Sequence, residues 1–89
     1  MNKIFCNINL FDLNQNVLIV DIQTGFTIFS TQVSDISDLP RTISTLSNNS
    51  GISEIVLSGE KTFAYKLKDT ILEYAKTNYA INNLEIEVI

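Results

Sequence analysis

Apolar and polar residues alternate from the start of the chain. Ile4, Cys6, Ile8 and Leu10 fall on one side, and Phe5, Asn7, Asn9 and Phe11 on the other. That two-residue period predicts a β-strand over residues 3–11. Asp12 to Asn16 is a polar loop of hairpin length, and Val17-Leu18-Ile19-Val20 is a β-branched run that suits a central strand. A second turn spans Asp21 to Gly25, with Gly25 placed for a positive φ, and Phe26 to Val33 makes a third strand rich in Thr and Phe. These residues predict a three-stranded antiparallel meander.

After Asp38 the period changes to that of a helix. Asp38-Leu39-Pro40 is a helix start, because proline in the first turn loses no hydrogen bond. Ile36, Leu39, Ile43 and Leu46 follow at helical spacing, and Asn48-Asn49-Ser50-Gly51 ends the helix with residues that accept a left-handed cap. Residues 52–57 are short and almost wholly apolar, which predicts a buried strand. A long amphipathic helix over residues 60–78 has Phe63, Ala64, Leu67, Ile71, Tyr74 and Ala75 as its core face. Asn82-Asn83 turns the chain into a last strand, where Leu84, Ile86 and Val88 alternate with Glu85 and Glu87.

The predicted order is βββαβαβ in a single domain of residues 1–89. Crossovers between parallel strands are right-handed in nearly all proteins. With the fourth strand beside the first and the fifth beside the fourth, both helices fall on one face of a mixed five-stranded sheet of order 3-2-1-4-5. The expectation is a two-layer α/β domain whose opposite sheet face has no helix to cover it.

Composition removes several classes of function. The net charge is −4, with five lysines and one arginine, which works against gripping a phosphate backbone and so against nucleic acid as a partner. No apolar run approaches the ~20 residues needed to span a bilayer and no cleavable leader is recognisable, so the expectation is a cytoplasmic protein with no membrane partner. The chain has no histidine, which excludes histidine-based acid–base catalysis and histidine metal sites. One cysteine, Cys6, rules out an internal disulfide and a multi-thiolate zinc site, and its place in an apolar run reads as a buried, inert thiol. The richness in Ile, Asn, Ser, Thr and Lys points to an AT-rich coding genome, and the size fits a small accessory protein of a phage or other mobile element.

The meander followed by αβαβ resembles the core of the RNase H-like superfamily, which includes the actin-like ATPase domains. The local likeness lies in Glu54-Ile55-Val56-Leu57-Ser58-Gly59 with its following helix and Glu85-Ile86-Glu87-Val88, and in Asp21-Ile22-Gln23-Thr24-Gly25, which is similar to a first phosphate loop. The resemblance implies nucleotide or two-metal chemistry, and the residues for that chemistry are missing. Gln23 and Glu60 stand where phosphate loops carry glycine, and residues 3–11 hold no acid for metal binding. The expectation is a stripped core with no catalytic residues, no metal site and no cofactor.

Two sets of surface residues remain. Ser58, Gly59, Lys61 and Thr62 join a parallel strand to a helix N-terminus, a junction that offers free N–H groups to an anion, and they are the candidate small-ligand or nucleotide site. Tyr65, Leu72 and Tyr79 recur every seven residues, well off the core face of the long helix, with Lys61, Lys68 and Lys76 beside them. Together with Phe5 and Phe11 on the uncovered sheet face, they are the candidate partner surface. The carboxylates have local explanations, with Asp35 and Asp38 at a helix start and Asp12 and Asp21 at turns. The expected function is protein binding, with a protein partner or a homo-oligomer.

Overall fold

A computed structural model describes all residues 1–89. Five strands, β1 (Asn2–Ile8), β2 (Gln15–Asp21), β3 (Thr27–Val33), β4 (Glu54–Gly59) and β5 (Glu85–Val88), form one mixed sheet of order β3-β2-β1-β4-β5. The meander β1–β2–β3 is antiparallel, and β4 and β5 add in parallel to β1 and to β4. Two helices, α1 (Leu39–Ser50) and α2 (Lys61–Tyr79), complete the βββαβαβ order. This is the predicted topology.

One core joins the two layers. Ile4, Cys6 and Ile8 of β1, Val17 and Ile19 of β2, Ile55 and Leu57 of β4 and Ile86 of β5 are buried against Leu39 and Ile43 of α1 and Ala64, Leu67 and Ile71 of α2. All these strand residues share one face, so both helices lie on the same side of the sheet. Burial pushes the Cys6 thiol up to about 11, which keeps it protonated and unreactive at neutral pH.

The ends of the helices follow from local chemistry. A 3-10 turn, Ile36–Asp38, precedes α1, and the Asp35 carboxylate accepts the Ser37 N–H at 3.0 Å and the Ser37 hydroxyl at 2.7 Å. These hydrogen bonds, the hydroxyl's first, hold the Asp35 carboxyl below its ordinary range. Pro40 sits in the first turn of α1, and Gly51 closes it at φ 65°, as the pattern predicts. The end of α2 differs from expectation. Ala80, not the Asn82-Asn83 pair, reverses the chain at φ 55°, with its N–H donating to the Lys76 carbonyl and that of Ile81 to the Ala75 carbonyl.

The first strand is shorter than the alternation implies. β1 ends at Ile8, and Leu10 and Phe11 belong to the hairpin loop. Gln15 makes the difference. Its buried side chain accepts the Asn9 N–H at 2.9 Å and donates to the Asn9 carbonyl at 2.7 Å and the Asp12 carbonyl at 3.3 Å. The amide thus takes the place a strand neighbour would have, and Asn9 caps the turn by accepting the Phe11 N–H at 3.0 Å. Phe11 is 98% exposed and does not share a sheet face with Phe5.

Candidate functional site

The strand-to-helix junction at residues 58–62 is built as a closed turn. Glu60 precedes α2 and folds its carboxylate back over the first turn, accepting the Thr62 N–H at 3.1 Å and the Phe63 N–H at 2.6 Å. The Phe63 N–H holds the Glu60 carboxyl below its ordinary range, aided by Thr62 and by the Lys66 charge. These are the free donors an incoming anion would use. The protein supplies its own anion there.

Gly59 also has a structural cause. Its φ is 116°, and a β-carbon at this position would stand 2.0 Å from the Ile8 carbonyl oxygen. The glycine lets β4 lie against the end of β1, where Ile8 and Gly59 are register partners. The Ser58 hydroxyl donates to the Asn7 side-chain carbonyl at 2.9 Å across the same two strands. Lys61 and Thr62 are exposed. The junction gathers the four predicted ligand residues in sequence, but its Thr62 and Phe63 N–H groups are already engaged by Glu60.

The turn at Asp21 to Gly25 repeats this arrangement. The Asp21 carboxylate accepts the Gln23 N–H at 2.8 Å and the Thr24 N–H at 3.2 Å, while the Gly25 N–H donates to the Asp21 carbonyl at 2.8 Å with φ 76°. An Asx turn therefore fills the loop that resembles a phosphate-binding turn. No three acidic or cysteine side chains come together as metal ligands.

A cleft of about 420 Å³ lies elsewhere, along β4 and β5. Lys3, Glu54, Lys68, Leu72, Glu85 and Glu87 line it, and Lys3 and Glu54 are paired at 3.5 Å. It mixes both signs of charge and presents no convergent set of donors or acceptors.

The predicted partner residues are dispersed. On α2, Tyr65 is exposed, Leu72 is half-buried against the core, and the Tyr79 hydroxyl is 2.7 Å from the Thr45 hydroxyl of α1. Tyr79 also packs obliquely on Tyr74, with ring centroids 6.4 Å apart. Its hydroxyl thus ties the two helices together, and the seven-residue repeat does not make a continuous apolar stripe on the surface.

The sheet face opposite the helices is open, but its apolar side chains shelter one another. Phe5 lies between its register partners Leu18 and Val56. Val56 is only 5% exposed although no helix covers it, and Phe5, Leu18 and Val20 are half-buried. Lys3, Asn7, Asn16, Glu54, Glu85 and Glu87 surround them with polar groups.

Exposed apolar surface collects in two places instead, the β1–β2 hairpin loop, where Leu10, Phe11 and Leu13 are exposed, and the β3 end of the sheet. Phe26 is 73%, Ile28 58% and Phe29 45% exposed, and β3 has no strand on its outer side. Residues 22–34 contain no charged residue and no proline. The uncharged run and its outer place in the predicted strand order are both visible in the sequence, but the exposure of its apolar side chains is not. No helix is long and apolar enough to cross a membrane. Comparison with protein-family models and with curated proteins gives no match to this chain.

Proposed function

We propose that this protein is a non-catalytic interaction module that associates with a second copy of itself. The observation that carries this reading is the uncharged edge at β3, where Ile28 and Phe29 stand exposed on a strand with no outer neighbour and Phe26 stands exposed just before it. Natural proteins blunt such edges with charge, proline or a covering element, because free backbone groups beside apolar side chains recruit another strand. The exposed parts of these three side chains amount to roughly 350 Å², within the range where surface patches on monomers mark contact sites.

The two self-filled turns support the non-catalytic part of the reading. Asp21 and Glu60 each occupy two backbone donors that a phosphate group would use at these turns. The strand order is compatible with a likeness to the RNase H-like core, and we read the chain as such a core put to use for its surface. Sedimentation velocity at tens of micromolar tests the proposal. A dimer that dissociates on dilution is the expected result. A monomer at every concentration would refute it.

A further inference from the structure

We infer that two copies join through their β3 strands, antiparallel about a twofold axis at Thr31, to make one continuous ten-stranded sheet. The inference rests on the self-association proposed above and assigns its geometry. The backbone directions come first. The Asp21 N–H donates toward β3, to the Phe26 carbonyl, and strand residues alternate in direction, so Gln15, Val17 and Ile19 also face β3. Their partners Val33, Thr31 and Phe29 therefore spend their N–H and C=O groups on β2. Ser30 and Gln32 point theirs outward, with no strand to receive them.

The register follows from where β3 is regular. The ladder to β2 slips between Ile19 and Val20, leaving Ile28 as an extra residue, so regular edge runs only from Phe29 to Val33. Thr31 is the centre of that segment. A twofold axis there sets Ser30 opposite Gln32 of the other copy, and Gln32 opposite its Ser30. Two such pairs exchange about four backbone hydrogen bonds. On the helix side, Phe29 meets Val33 of the other copy and Thr31 meets its own counterpart. On the open side the paired side chains are Ser and Gln. In this register Phe29 and Val33 meet apolar to apolar, and the remaining pairs meet polar to polar.

Charge permits a second copy at this edge and not at the other. Each chain carries −4, so two copies repel except where neutral surface meets neutral surface. The other outer strand, β5, carries Glu85 and Glu87 and would bring carboxylates together. The paired segment is only five residues a side, so the interface belongs with weak, transient contacts rather than with those above about 1,000 Å². The dimer is therefore a weak one, and added salt strengthens it by screening the repulsion.

A charge exchange tests the geometry. Ser30→Lys/Gln32→Lys places two lysines opposite two lysines, and Ser30→Glu/Gln32→Glu does the same with carboxylates. Both positions are exposed, and circular dichroism verifies that both variants fold. Each variant alone is expected to associate at least about 100-fold more weakly than the wild type, and an equimolar mixture is expected to recover a mixed dimer. Thr31→Cys adds a register readout. The central pair has Cα atoms about 4.5 Å apart, within disulfide reach, so mild oxidation should join two copies, while Cys6 stays buried. Variants that remain dimeric alone would overturn the β3 assignment and leave self-association standing. A mixture that stays monomeric, or a Thr31→Cys dimer that does not cross-link, would overturn it likewise. A wild-type chain that is monomeric throughout would overturn both.

Discussion

The two outer strands of the sheet are built on opposite principles. β5 is four residues long, carries Glu85 and Glu87 on the open face, and has Lys68 and Leu72 of α2 close by along the same cleft. β3 is seven residues long, lacks charge, and presents Phe29 on the helix side without a helix over it. Short length and charge are the usual means of keeping a sheet edge from recruiting another strand. The protein applies them to one edge and withholds them from the other. An edge left bare beside a guarded one reads as a surface with a use, and that contrast underlies the proposed association.

The contrast depends on the seam between the halves, where β1 pairs with β4. Gly59 permits that pairing, so Gly59→Ala should give the largest effect of any single change. A β-carbon 2.0 Å from the Ile8 carbonyl forces the backbone apart, and the cost is about 3 kcal/mol or more, a large part of the stability of a domain this size. Urea denaturation is the measurement. A loss below about 1 kcal/mol would mean that β4 sits less tightly against β1 than the register implies.

Stripping the guard from β5 is the next test. Glu85→Thr/Glu87→Thr should change stability by no more than about 0.5 kcal/mol, since both side chains are exposed, yet it should add a second association mode. Light scattering would then show species larger than a dimer, because each copy has two open edges. A variant that stays strictly dimeric would show that the length of β5 or the nearby α2 suffices to protect it.

A smaller effect lies in the connection into β5. Ala80 adopts φ 55°, where a β-carbon is crowded and glycine is at ease. Ala80→Gly should stabilise the chain by about 0.5–1 kcal/mol, with the loss of unfolded-state restriction offsetting part of the gain. Thermal unfolding checks the sign, and β3-mediated association should be unaffected.

Much of this architecture was legible in the residues. The change from a two-residue to a helical period after Asp38, the Gly51 cap and the right-handed crossovers together carry the strand order and put both helices on one side. Periodicity failed where side chains replaced backbone partners. Asn9 to Phe11 continue the alternation of β1, yet Gln15 closes the loop by bonding Asn9, a contact that no local pattern encodes. Tyr65, Leu72 and Tyr79 share a helical face by spacing, but the position of α1 decides that Tyr79 bonds Thr45. Glu60 was visible as a departure from a phosphate turn, while its folding back over Thr62 and Phe63 is a matter of rotamer and geometry. The bare edge was half legible, as an uncharged stretch in a strand predicted to lie outermost, while the exposure of Phe26, Ile28 and Phe29 and the slip at Ile28 needed the structure.

Amide hydrogen exchange, followed residue by residue across a dilution series, tests the central contrast most directly. The outward-facing amides are those of Ser30 and Gln32 on β3. On β5 they are those of Ile86 and Val88, because Glu85 and Ile89 donate to the Ser53 and Leu57 carbonyls of the β4 side. The account predicts that Ser30 and Gln32 are protected at high protein concentration and lose that protection on dilution, while Ile86 and Val88 exchange freely throughout. Free exchange of Ser30 and Gln32 at concentrations where the protein sediments as a dimer, or concentration-dependent protection of Ile86 and Val88 in their place, would contradict it.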